Sequence, residues 1–185
     1  FCDLPLFSLE EIQQKFPSNK FKMHVALSYS KLNKIREEKY LQVKKMGYNL
    51  VNYISSKSFF WNDLKIGDNC FILENQTIQP KVNIGNNVMI WSGNHLGHGC
   101  NIDDHTYLSS HICISGHTNI GKRCFIGVNS HFKDFINIGD DVVIGMGSNV
   151  NKDIDSGSLV IGSKSEIFSK DNLITKKILK SYFNL

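Results

Sequence analysis

No apolar run in the 185 residues approaches eighteen, so no segment reads as a helix that crosses a bilayer. No N-terminal stretch has the order of a signal peptide. The five cysteines form no C-x-x-C pair, which removes the common zinc-ribbon and dithiol spacings. There is no G-x-G-x-x-G loop and no basic run interleaved with aromatics. With a formal net charge of only +4, nucleic acid is not an expected partner. These absences leave a reduced, cytoplasmic protein without membrane insertion, of a length that suits one or two domains.

What is present is a period. Every sixth residue from Ile66 to Val150 is apolar, fifteen positions without a skip. At the chain's apolar content, chance gives about one in a million for a given phase. Six residues fit neither a helix nor a half-buried strand. They are the repeat of a parallel β-helix built from hexapeptides, three to a triangular coil of eighteen residues. The counted hexads predict about five coils.

Numbered from the apolar residue i, position i+1 is Gly in seven units (Gly67, Gly85, Gly97, Gly121, Gly127, Gly139 and Gly145). Glycine there suggests a corner that needs positive φ. Position i+4 is compact, as in Val88, Thr106, Thr118, Ser130 and Ser148, and is expected to point inward with i. Cys70, Cys100 and Cys124 fall at i+4 and so read as small core residues.

Residues 1–54 differ. Ser8 and Glu11 make a capping box for a short helix through Phe16. Phe21 to Leu27 is β-prone. Ser30 is placed to cap a longer helix, with Leu32, Ile35, Val43 and Met46 on one side and Gly47 at its end. Tyr48 to Ile54 reads as a strand. This α/β order predicts a small subdomain over 1–54, and its first strand and glycine loop are expected to be missing from the chain. The coil domain is expected over 55–165. A helical tail over 166–185, with Leu173, Ile178, Leu179, Tyr182 and Phe183 among lysines, is expected to cap the coil end. A membrane-surface helix is the lesser reading.

Six of the seven histidines lie between residues 95 and 131. Imidazole titrates near neutral pH and suits a general base. His98 sits at i+2 on a turn beneath Gly116, and His117 lies over Gly99. His98 is the favoured base and His95 the runner-up, ahead of His117 and His131. His105 and His111 read as tolerated at exposed turns, on different corners. Cys113, stacked between His95 and His131, is the rival as a nucleophile.

The segments Tyr29 to Lys39, Ile84 to His98, Ile120 to Ser130 and Ile144 to Gly147 resemble the hexapeptide-repeat sugar acyltransferases of the sialic-acid O-acetyltransferase and bacillosamine-type N-acetyltransferase group. The resemblance runs over nearly the whole chain. It implies a mainly β fold, a left-handed parallel β-helix with a truncated α/β subdomain. It implies a homotrimer with active sites between subunits. The co-substrate is acetyl-CoA and the acceptor a sugar or nucleotide-sugar, for surface-glycan synthesis. The family base falls on His98. Acetyl-CoA contacts fall at and around Tyr107, Gly116, His117, Gly127, Val128, Gly145 and Met146. No metal is implied.

Two departures stand out. The acid that follows the base in the family is Gly99 here, so Asp103, Asp104 or Asp134 is expected to orient His98 unless it works alone. The closing G-x-P-A-like turn is Gly162 to Ser165. Two other classes remain open. A γ-carbonic-anhydrase-like zinc site is suggested by His95 and His131, although its third ligand falls on Ile136. The other is a scaffold without catalysis.

Overall fold

The structure, a computed structural model, describes residues 3–184; Cys2 lies outside the described residues. Its body is a left-handed parallel β-helix of about six turns. Each turn adds a two-residue strand to three flat faces, and strands eighteen residues apart pair in parallel. Face A stacks Phe59–Phe60, Thr77–Ile78, His95–Leu96, Cys113–Ile114, His131–Phe132 and Asn149–Val150. Face B stacks Lys65–Ile66, Asn83–Ile84, Asn101–Ile102, Asn119–Ile120 and Asn137–Ile138. Face C runs from Tyr53–Ile54 through Phe71–Ile72, Met89–Ile90, Tyr107–Leu108, Phe125–Ile126 and Val143–Ile144 to Leu159–Val160. The coil thus runs one turn beyond the expected five, because Ile54 and Phe60 extend the hexads and Leu159–Val160 adds a last rung off the six-residue phase. Tyr53–Ile54 pairs with Phe71–Ile72 and so belongs to the coil rather than to the preceding subdomain. Val160 pairs with Ile144 only sixteen residues away, so the last turn is two residues short.

The second residue of each strand forms the core. From Ile72 to Val150 these side chains are at most 5% exposed. Position i+4 joins them for a further reason: its small polar groups reach inward-facing carbonyls. Thr106 Oγ1 donates to the Gly121 carbonyl at 2.7 Å and Cys100 Sγ to that of Ser115 at 3.0 Å. Burial drives the Cys70 thiol up to about 12 and the Cys124 thiol to about 11. Outside the core, face B carries an amide ladder in which Asn83, Asn101 and Asn119 each donate to the next asparagine, at 2.7, 2.6 and 2.8 Å.

The expected role of the i+1 glycines is corrected. The left-handed residue sits at i+3 instead: Asn69, Asn87, His105, His117 and Arg123 have φ between 54° and 65°. At i+1 the constraint is close approach. A Cβ on Gly97 would meet the Gly116 nitrogen at 2.6 Å, and one on Gly127 the Met146 nitrogen at 2.5 Å. At these two glycines the stacked coils leave no room for a methyl group.

The N-terminal subdomain holds helices α1 (Leu9–Lys15) and α2 (Lys34–Lys45) and a parallel pair, Lys22–Met23 with Asn49–Leu50. Val25, Tyr40, Val43, Tyr48 and Leu50 form its core. Glu11 accepts from the Ser8 N–H at 3.0 Å, as the capping box requires. Ser30 does not cap α2. The cap is Asn33, the last of three residues with positive φ after Lys31 and Leu32. Of the expected side of α2, Val43 is buried and Met46 packs on the subdomain core, while Leu32 and Ile35 are only half-buried. Arg36 and Tyr40 are buried beside Val43, because this helix docks on carbonyl oxygens as well as on apolar atoms.

The tail forms α3 (Leu173–Ile178) and a wider turn over Leu179–Phe183. It does not cap the coil. Leu173 is 83% exposed and Tyr182 78%, and of the tail's apolar side only Leu179 is half-buried. No helix among the described residues is long and apolar enough to cross a membrane.

Candidate active site

The triangular section gives three corners with one backbone geometry and different chemistry. The corner between faces A and B carries Gln79, His98, Gly116, His117 and Phe135 on successive turns. The His98 ring lies across Gly116, where a Cβ would come within 2.7 Å of His98 Cε1. His117 meets it edge-on at 4.9 Å and stacks on Phe135 at 5.0 Å. From the turn below, Gln79 Oε1 accepts the His98 backbone N–H at 2.9 Å and lies 3.2 Å from His98 Nδ1. His98 is exposed, on a backbone tied at every turn, as in the His117 N–H to His98 carbonyl bond at 2.8 Å.

None of the expected acids orients His98. Asp104 is on another corner, where its Oδ1 accepts the Asn86 N–H at 2.6 Å. Its neighbour Asp103 stands on that same corner, with its carboxyl pushed up by burial and then by Asp104. Asp134 is on the His98 corner but two rungs away, about 10 Å at the ordinary strand spacing. The group beside the imidazole is Gln79, in a unit whose i+1 residue is not Gly. The pairing was not visible in sequence because it joins residues nineteen apart, one off the stacking period.

The corner between faces B and C is a closed counterpart. Asn69 donates to Asn87 Oδ1 at 2.8 Å, and Asn87 Nδ2 lies 2.9 Å from His105 Nδ1. Helix α2 covers this ladder. The Arg36 guanidinium reaches the carbonyls of Asn87 and His105, the latter at 2.6 Å, and Asn33 Nδ2 donates to the Cys124 carbonyl at 3.0 Å. Glu37 faces both His105 Nε2 at 3.6 Å and Arg123 at 3.4 Å. His105 is therefore 6% exposed, against the expectation of an exposed turn. Desolvation lowers its pKa, opposed by Glu37, and the same burial brings Arg36 down to about 10. His111 is exposed as expected, over Gly93 on the third corner.

Two grooves complete the picture. On face C, a groove of about 250 Å³ lies between Ala26, Leu27 and Ser28 of the subdomain and Phe71, Met89, Trp91 and Tyr107 of the coil. Tyr29 closes its upper end, with its ring 5.0 Å from Tyr107 and 4.8 Å from Phe125. Sequence reasoning passed over this groove, since nothing local shows residues 26–28 crossing to face C. The second groove, about 510 Å³, lies by the corner between faces C and A, at the late coils, and is lined by Gly145, Met146, Ile161, Lys164 and Ile167 among others.

The residues expected around acetyl-CoA thus fall in three places. Gly116 and His117 adjoin His98. Gly127, Val128, Gly145 and Met146 lie on the corner between faces C and A, with Met146 74% exposed. Tyr107 is on face C, 6% exposed beneath Tyr29, and its hydroxyl is pushed up by burial. His95, Cys113 and His131 stack on face A in the expected register. Ile136, where a third zinc ligand would fall, is 5% exposed and part of the core. Among the described residues, no three His, Cys, Asp or Glu side chains gather as a metal site.

Residues 117–152 match the family described as the hexapeptide repeat of succinyl-transferase. No curated protein matches the chain in sequence. Among solved structures, a perosamine N-acetyltransferase variant of Caulobacter crescentus, in complex with CoA and GDP-perosamine, superposes with a TM-score of 0.76 at 22% identity, over 85% of this chain and 72% of that one. The acetyltransferase domain of PglB from Neisseria gonorrhoeae gives 0.77 at 21%, over 86% and 76%. WeeI from Acinetobacter baumannii gives 0.54 at 21%, over 74% and 66%. The chain is a hexapeptide-repeat protein, and it shares its fold with these proteins.

Proposed function

We propose that this hexapeptide-repeat protein is a sugar acyltransferase that moves an acetyl group from acetyl-CoA to an amine or hydroxyl of a nucleotide-linked sugar in the cytoplasm, for surface-glycan synthesis. The observation that carries the reading is His98: an exposed imidazole on a rigid corner, with Gln79 at its Nδ1 and no hydrogen-bond partner at Nε2 among the described residues. A group so placed takes a proton as a neutral acceptor attacks a thioester carbonyl. The new C–N or C–O bond forms, the C–S bond breaks, and coenzyme A leaves as its thiolate, which takes up the proton held by the imidazole. Holding both substrates against a fixed coil supplies much of the acceleration.

The chain's other residues fit this division of labour. The face C groove has apolar and aromatic walls suited to the flat base or sugar face of an acceptor. The groove at Met146 and Ile161 offers apolar walls and one cation, Lys164, suited to the arm and phosphates of coenzyme A. The face C groove and the His98 corner stand on opposite sides of one prism. One chain cannot close them on a single substrate, which supports a homotrimer whose sites lie between subunits. Solved relatives in complex with CoA and GDP-perosamine support the same reading. His95 remains the alternative base.

The test is direct. Acetyl-CoA at millimolar concentration is expected to raise the melting temperature, since a ligand that binds only the native state must stabilise it. A mass-spectrometric screen of UDP- and GDP-linked amino- and hydroxy-sugars with acetyl-CoA is expected to give an acetylated product. No stabilisation and no product would favour a scaffold, and stoichiometric zinc in the purified protein would favour the carbonic-anhydrase-like reading.

A further inference from the structure

We propose that Gln79 is the positioning residue for His98, fixing which imidazole nitrogen carries the proton. This rests on the reading of His98 as the base. Two contacts converge on one atom, Gln79 Oε1: the His98 backbone N–H at 2.9 Å and His98 Nδ1 at 3.2 Å. A backbone N–H can only donate, so the end of the amide that faces it is the oxygen and not the NH2 group. An amide oxygen can only accept. The proton of the neutral ring therefore sits on Nδ1, and Nε2 is left bare to receive the proton of the acceptor.

The clamp is built from backbone upward. Gln79 is anchored by its own N–H to the Leu96 carbonyl at 2.9 Å, so its Cα is fixed one rung below His98. Seven of the fifteen hexads place Gly at this position, and a glycine here would leave Nδ1 without its acceptor. Above, Gly116 leaves room for the ring to lie flat against the next turn. His117 is the titratable group in contact with the ring, edge-on at 4.9 Å. The ring is thus held between Gln79 below, Gly116 above and His117 at one side, and Nε2 has no hydrogen-bond partner among the described residues. A neutral amide does this without adding charge, whereas a carboxylate in the same place would both orient the ring and favour its protonated form.

The experiment uses the full chain and two variants, Gln79→Ala and the near-isosteric Gln79→Glu. Proton–nitrogen correlation spectra of the imidazole report the tautomer without any substrate. Wild type is expected to show His98 protonated on Nδ1. Gln79→Ala is expected to move the population toward the Nε2-protonated form that free histidine favours, with the melting temperature unchanged. Gln79→Glu is expected to restore Nδ1 protonation and raise the midpoint of the His98 titration by about one pH unit. With an acceptor found by the screen, Gln79→Ala is expected to lower kcat by about 10–100-fold, part of what a general base contributes, with KM for acetyl-CoA unchanged. A wild-type ring protonated on Nε2, or a tautomer indifferent to Gln79→Ala, overturns the proposal. The expected spectra in a protein that acetylates nothing would uphold Gln79's hold on the ring and overturn the reading of His98 as a base.

Discussion

The corner that holds His98 and the corner that holds His105 are built on the same backbone, yet one is open and the other sealed. Both place residues in the left-handed region on successive turns, Lys81, Gly99, His117 and Phe135 on one and Asn69, Asn87, His105 and Arg123 on the other, and both stack side chains rung on rung. At the sealed corner, the stack Asn69, Asn87, His105 and Arg123 is read by Asn33 and Arg36 of α2, which satisfy carbonyls that the turns leave facing out. At the open corner nothing from the subdomain arrives, and Gln79, His98 and His117 face solvent. The lesson is that a solenoid corner has no fixed role. What lies against it decides whether an imidazole becomes a structural strut or a reagent.

The largest expected effect removes the ground common to both corners. Ile120 is 1% exposed in the core. Ile120→Asp buries an unpaired charge, and the coil stack is expected to be lost outright, with no folded protein by circular dichroism or gel filtration. A soluble folded oligomer from this variant would break the inward assignment on which both corners depend.

Next comes the contrast itself. His98→Ala is expected to lower turnover by about 10²–10⁴ with an unchanged melt, as for loss of a general base. His105→Ala is expected to do the reverse, sparing turnover and lowering stability by about 1–3 kcal/mol through the orphaned partner Asn87. Equal effects of the two on turnover would erase the distinction.

Arg36→Ala sharpens the sealed side alone. It strips charged hydrogen bonds from the Asn87 and His105 carbonyls, each worth about 1.5–3 kcal/mol. The subdomain is expected to melt ahead of a coil whose own transition is unmoved, seen as two steps in calorimetry.

The smallest effect is in pH. Burial lowers the pKa of His105 in the folded state. Below about 6.5, the ordinary histidine value, the unfolded chain then binds more protons than the folded one. The stabilising contribution is complete above that pH and is lost as the pH falls below it. Melting temperatures measured from about pH 8 to 5 are expected to decline in this window, and His105→Asn is expected to flatten the decline.

Much of the coil was legible because its period is local: one apolar residue in six fixes which side chains turn inward, whatever lies elsewhere. The inward cysteines and the stack of His95, Cys113 and His131 followed from counting. The i+1 glycines were noticed but read for the wrong reason, since a contact between turns leaves no mark in the φ preference of a single residue. Helix α2 was found by its pattern, with Val43 and Met46 turned toward the subdomain core as read, but the burial of Arg36 and Asn33 was missed, because they look like solvated residues until carbonyl oxygens stand opposite them. The tail's helix was visible, whereas its failure to meet the coil end was not.

The sequence by itself determined the hexad core, the stacking of residues eighteen apart and the position of His98 on a turn, since each depends on spacing along one chain. Only the tertiary structure decided which corner the subdomain covers, and so that His105 is sealed and His98 open. It alone set Gln79, rather than an acid, against the imidazole. Those outcomes depend on hydrogen bonds between segments whose separation in sequence obeys no period, and such bonds are specified by the packing of the whole.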